Sequence, residues 1–260
     1  MTPTRGPTPF AALLDLLLPR TCGGCGAGPP GSGGWCPACA EDTAGPFAVR
    51  VPGAGRVVVA GRYRGPLRRA VLAYKERGRR DLAPDLAALL VPAVAAALPA
   101  GRPPAADPGL VRLVPAPSRP GAARTRGGDH VLRLCRALEA RLATAGLPAR
   151  TLPVLVLDRR ARDSVGLDAA GRAENLAAAL RPAAAAAGRR AGTGGPWHGT
   201  GPPAAVPVPA RPPPWEPVVL VDDVVTTGAT LRACREALEC LGLGPAASVL
   251  LADATSPTRV

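Results

Sequence analysis

Lysine is almost missing from this chain of 260 residues: of 32 basic side chains only Lys75 is not an arginine. Aromatic residues make up 3% of the chain, and histidine occurs twice, as His130 and His198. Scarce aromatics argue against an extended stacking platform for single-stranded nucleic acid, which needs rings at intervals. Long apolar runs are lacking too. The alanine-rich stretch 86–98 is shorter than the roughly 20 residues a bilayer span needs, and Pro92 interrupts it. The apolar run 10–18 contains Asp15 and meets no small-residue cleavage site before the cysteines. No membrane span and no secretory signal are expected; a cytoplasmic location is.

Arginine, alanine, glycine and proline are abundant instead, the signature of a coding bias towards GC-rich codons, so the net charge of +13 is discounted before it is read as function. What remains of it favours polyanionic ligands such as phosphates or nucleic acid. A hydrophobic content of 47% supports a full core, and the length suits one α/β domain with a small appendage. Residues 1–50 hold four of the seven cysteines and little apolar periodicity, whereas from residue 51 to 260 short β-branched runs alternate with helical patterns. That alternation predicts a mainly parallel sheet covered by helices. Residues 182–216 show neither strand nor helix period and read as a disordered insertion.

Cys22-x-x-Cys25, ten residues, then Cys36-x-x-Cys39 forms two knuckles spaced for one tetrahedral structural Zn²⁺. Glycines at 23, 24 and 26 permit the tight turns that point thiolates at a common centre. A redox Cys-x-x-Cys belongs on a helix after a strand, whereas these lie among Gly and Pro. Cys135, Cys234 and Cys240 fall in helical apolar patterns and are expected to be small buried hydrophobes.

The sharpest signal is residues 218–230, Val-Val-Leu-Val-Asp-Asp-Val-Val-Thr-Thr-Gly-Ala-Thr. Four apolar residues predict a buried strand with Asp222 and Asp223 at its carboxyl end. A turn follows, and a helix over 231–241. Ligands of open α/β sheets bind at that edge. Val225, Thr226, Thr227, Gly228, Ala229 and Thr230 would turn backbone N–H groups and three hydroxyls towards a phosphate on the helix N-terminus. Gly228 is expected to let the backbone approach that phosphate, having no Cβ. Two acids beside an anion site would repel it unless they face ribose hydroxyls and a metal ion. The competing reading is a helix cap, for which one acid and one threonine would do.

At these positions the chain resembles the type I phosphoribosyltransferases. The resemblance implies their α/β fold, a Mg²⁺ cofactor, and phosphoribosyl pyrophosphate or a phosphoribosyl nucleotide as ligand. It also implies transfer of the phosphoribosyl group with loss of pyrophosphate, the carboxylates of Asp222 and Asp223 steadying an oxocarbenium-like transition state. With the cysteine knuckle ahead of it, the whole resembles the ComF family of competence-associated proteins. Tyr63-Arg64-Gly65-Pro66-Leu67-Arg68, Ala73-Tyr74-Lys75, Val114-Pro115-Ala116-Pro117 and Arg172-Ala173-Glu174-Asn175 look like family stretches. The chain departs from the pattern at 126–130, where many members carry Arg-Gly-Phe-Asn-Gln and this sequence has Arg-Gly-Gly-Asp-His.

A lone lysine in an arginine-rich chain suggests a place where a compact ammonium is needed, so Lys75 joins the ligand-binding set. Arg119, Arg124 and Arg126 are expected near the pyrophosphate, or else as solvated loop arginines. The alternative to an enzyme is a ligand-sensing module that engages single-stranded DNA, as the competence association implies. Acceptor and oligomeric state are not legible in the sequence.

Overall fold

The computed structural model describes residues 21–28, 34–43, 45–98, 109–118, 128–158, 179–183, 213 and 216–255. Arg119, Arg124, Arg126, the 172–175 motif and most of the 182–216 segment lie outside these residues.

Eight strands and five α-helices are described: β1 (Phe47–Val49), β2 (Val57–Arg62), β3 (Val111–Pro115), β4 (Ala149–Thr151), β5 (Leu155–Leu157), β6 (Leu180–Pro182), β7 (Val218–Val225), β8 (Ala247–Asp253); α1 (Pro37–Glu41), α2 (Gly65–Glu76), α3 (Ala83–Ala97), α4 (His130–Thr144) and α5 (Ala229–Cys240). Six strands form one mixed sheet in the order β1-β2-β8-β7-β3-β4, with β1 antiparallel and the rest parallel. The expected α/β class is therefore present. Strands β5 and β6 pair separately and antiparallel.

The central strands are mostly apolar, with residues of both faces buried, because helices cover both faces. Val219 and Val221 of β7 join a core with Leu86 and Leu90 of α3 and Leu134 and Leu138 of α4. Their neighbours Val218 and Leu220 face the other way, onto Leu231 and Leu238 of α5 and Leu155 of β5. In α2, Leu67, Ala70, Val71 and Tyr74 recur at helical spacing and are the buried side chains. Helix α3 runs through Pro92, which lies on its exposed side.

From β3 the chain passes through α4, on one face, to β4 at the sheet's edge. From β7 it passes through α5, on the opposite face, to β8. Since β3 and β7 are adjacent and their connections leave in opposite directions, the crevice beyond their carboxyl ends is the topological switch point, where such sheets bind ligands.

The cysteine knuckle packs onto this body. Cys22, Trp35 and Cys39 belong to the α3/α4 core. The backbones of Gly23 and Gly34 close on Leu82, so that a Cβ on either would come within 2.7 Å of its methyls. Polar ties add to this: Gly34 N–H donates to Asp85 Oδ2 at 2.8 Å, Arg79 to the Thr21 carbonyl at 3.0 Å, and Arg69 to the Gly24 carbonyl.

Candidate functional site

Two polar clusters stand out, one in the knuckle and one at the switch point. In the first, the ligand atoms of Cys22, Cys25, Cys36 and Cys39 all lie within 4.8 Å of one another. The Cys22–Cys39 and Cys25–Cys36 sulfurs are 3.8 and 3.9 Å apart. A tetrahedron with Zn–S bonds of about 2.3 Å has edges of about 3.8 Å, so the four thiols fit a metal such as zinc. Backbone N–H groups of Gly24 and Cys36 point at the Cys22 sulfur, at 3.4 and 3.3 Å. Burial pushes the Cys22 thiol up, but these N–H donors outweigh it and hold it down to about 6. Burial and then the neighbouring sulfurs push Cys39 well up.

At the switch point, β7 does not stop at the acids. Pairing of Val224 with Ala252 and of Val225 with Asp253 carries the strand past them. Strand alternation then sends Asp223 to the α4 face, with Val219 and Val221. There its Oδ2 receives Lys75 Nζ at 2.6 Å and His130 Nε2 at 2.8 Å, while its Oδ1 accepts the Val224 N–H at 2.7 Å. Against the desolvation of its buried position, the His130 hydrogen bond and the Lys75 charge hold Asp223 down to about 2. Asp222, on the opposite face and half-buried, accepts the Asp223 N–H through Oδ1 at 2.8 Å. Among the described residues no donor is bonded to its Oδ2. Burial, and then the charge of Asp223, push Asp222 up to about 7.

His130 extends the network. Its Nδ1 lies 3.2 Å from Ser118 Oγ, whose hydroxyl also reaches Asp129 Oδ1 at 3.0 Å. Asp129 caps α4 by accepting the N–H groups of Val131 and Leu132, and its Oδ2 takes the Ser118 N–H at 3.1 Å. Tyr74 donates its hydroxyl to the His130 carbonyl at 2.6 Å. Sequence reasoning singled out Lys75 by its rarity but missed His130 and Ser118. An acid one residue ahead of a periodic apolar run marks the cap; nothing local marks the histidine's partner.

The turn expected to hold phosphate spans residues 226–228. Thr226 and Thr227 are exposed, and Ala229 and Thr230 are half-buried at the start of α5. Val225 is buried in the α5-side core. Gly228 has φ +73°, and a Cβ there would lie 2.2 Å from Val51 Cγ1. Protein, not ligand, therefore occupies the space beside it. No side chain caps α5 at Gly228, and Thr227 Oγ1 is 3.4 Å from the Ala229 N–H. Of the three remaining cysteines, Cys135 and Cys234 are buried as expected, whereas Cys240 is exposed. Among the described residues no helix is long and apolar enough to cross a membrane.

No family model matches the chain, and no curated protein matches it.

Proposed function

We propose that the chain binds the phosphoribosyl group of phosphoribosyl pyrophosphate, or of a phosphoribosyl nucleotide, at the switch point. On this reading it transfers that group with release of pyrophosphate, on a type I phosphoribosyltransferase fold steadied by zinc in the knuckle. The observation that carries the reading is a carboxylate pair on β7 leading directly into an uncapped helix start. The first-turn N–H groups of α5 lack intrahelical acceptors, and the dipole there favours an anion. Thr226 and Thr227 are exposed beside them, so their hydroxyls would add donors for a phosphate bound there.

Asp222 Oδ2 supplies the acceptor that a sugar hydroxyl or a metal ion requires. Mg²⁺ takes oxygen ligands from one or two carboxylates and from substrate phosphates, which Asp222 fits, and it would neutralise the departing pyrophosphate. The chain's own part is to orient the ribose and to keep a negative carboxylate near its anomeric carbon as positive charge develops. Calorimetric titration with phosphoribosyl pyrophosphate, with and without Mg²⁺, tests the reading. Thr226→Val with Thr227→Val should weaken binding by about 10-fold or more, the loss of a charge-assisted hydrogen bond being about 1.5–3 kcal/mol. An intact, zinc-loaded protein that takes up no phosphoribosyl pyrophosphate overturns it.

A further inference from the structure

The two adjacent acids of β7 do not occupy equivalent positions. Asp223 is nearly inaccessible, 4% exposed, and its carboxylate is engaged from three sides: Lys75 and His130 on Oδ2, the Val224 N–H on Oδ1. A carboxylate so surrounded has little acceptor capacity left for a sugar hydroxyl. Its donors come from separate elements. Lys75 is near the end of α2 and His130 begins α4, and His130 is tied through Ser118 and Asp129 to both ends of the β3–α4 connection. Among the described residues Asp222 is linked only to the backbone beside it, and no donor is bonded to its other oxygen.

We propose that the pair divides its work: Asp222 is the acid that meets the ligand, and Asp223 is a positioning residue. Asp223 draws α2, α4 and β7 together and thereby sets the backbone angle at which Asp222 and the following turn are presented. The ligand half of this division rests on the phosphoribosyl reading; the positioning half stands without it.

An amide tells the two apart. In Asp222→Asn the N–H of residue 223 can still meet the amide oxygen, and the NH₂ group opposes no donor among the described residues. In Asp223→Asn one amide side must oppose a donor, either the Val224 N–H or the Lys75 and His130 pair. Asp222→Asn should therefore leave Tm near neutral pH no lower than that of the parent, and Asp223→Asn should lower it by about 5 °C or more. The hydrogen-bonded ring N–H of His130, assigned by its disappearance in His130→Gln, should be visible by nuclear magnetic resonance in the parent and in Asp222→Asn. It should be lost or shifted in Asp223→Asn. In calorimetry at a temperature where all variants are folded, Asp222→Asn should lose about 10-fold or more in affinity for phosphoribosyl pyrophosphate with Mg²⁺. Asp223→Asn should lose distinctly less.

Equal losses of Tm in the two variants, or an unchanged His130 signal in Asp223→Asn, overturn the division. So does an affinity loss in Asp223→Asn as large as that in Asp222→Asn. If the parent binds no phosphoribosyl pyrophosphate, the functional reading fails, while the Tm and resonance contrasts still decide whether Asp223 positions.

Discussion

The knuckle and the switch point are both clusters of polar side chains at the margin of the same α3/α4 core, yet they are ordered by opposite means. At the switch point the acids other than Asp222 have partners of opposite character already on the chain: Asp223 meets Lys75 and His130, and Asp129 meets Ser118 and two helix N–H groups. In the knuckle four like groups are brought together, and among the described residues no side chain donates a hydrogen bond to them from outside the four, only a few backbone N–H groups. Four sulfurs this close cannot all ionise without a cation, because like charges in one site push one another's pKa up. The switch point is thus self-sufficient and ready for a ligand, whereas the knuckle is conditional on one.

Removing metal should break the comparison most sharply. The protein as purified should carry about one zinc per chain, and structural zinc sites of this kind contribute on the order of 10 kcal/mol to the folding of small domains. A strong chelator, or Cys22→Ser with Cys39→Ser, should release Trp35, now 8% exposed, and shift its fluorescence to the red. Far-ultraviolet dichroism should fall little, since the sheet and the four longer helices have their own cores. Protein without zinc, or a chelated protein whose tryptophan emission is unmoved, would show that the knuckle holds itself together.

Glycines sharpen the contrast at the next level. Gly26 in the knuckle and Gly228 at the switch point have nearly equal backbone angles, φ +79° and +73°. A Cβ on Gly26 would meet nothing within 4 Å, whereas one on Gly228 would meet Val51. Gly26→Ala should thus cost only the left-handed conformation, about 1–2 kcal/mol. Gly228→Ala should cost that and a further 1–3 kcal/mol or so for overpacking. Adding Val51→Ala should relieve only the second part, seen as a coupling in a double-mutant cycle of denaturation free energies. Equal costs at the two glycines would mean that Val51 yields freely, and that the space beside Gly228 is open to a ligand after all.

What could be read from sequence was whatever is local. The cysteine spacing and the apolar run of β7 each lie within a short stretch of chain, and the structure has both the cysteine cluster and the strand. Lys75 was legible by a different route, as the one basic residue that departs from the chain's habit. Long-range pairings were not. His130 and Asp223 are 93 positions apart, and only the adjacency of β3 and β7 brings them together. The same holds for Gly228, whose local pattern suggests room for a phosphate while a valine from a distant loop fills the space. Cys240 sits at the last position of α5, where the helical stripe has run past the edge of the core. The β7 strand outruns its apolar run because β8 offers partners as far as Asp253.

The smallest expected effect separates the two acids by pH. Burial and the Asp223 charge push Asp222 up to about 7, so the folded chain keeps a proton that the unfolded chain, with an ordinary Asp value of about 3.9, releases. The stability this group contributes is complete below about pH 4 and declines as the pH rises towards 7. Asp223, held down to about 2, runs the other way: its contribution is present above about pH 4 and is lost as the pH falls towards 2. The knuckle is the same in the parent and in Asp222→Asn, so any response of it to acid cancels in the difference. Measured without Mg²⁺ or ligand, the stability of Asp222→Asn relative to the parent should therefore grow between about pH 4 and 7, then level off. The growth should be about 1 kcal/mol, a figure reduced for the solvent that reaches a half-buried group, or roughly 2–4 °C in Tm. A difference that stays constant or shrinks over that range would mean that Asp222 is not held protonated, and that the two acids share one environment.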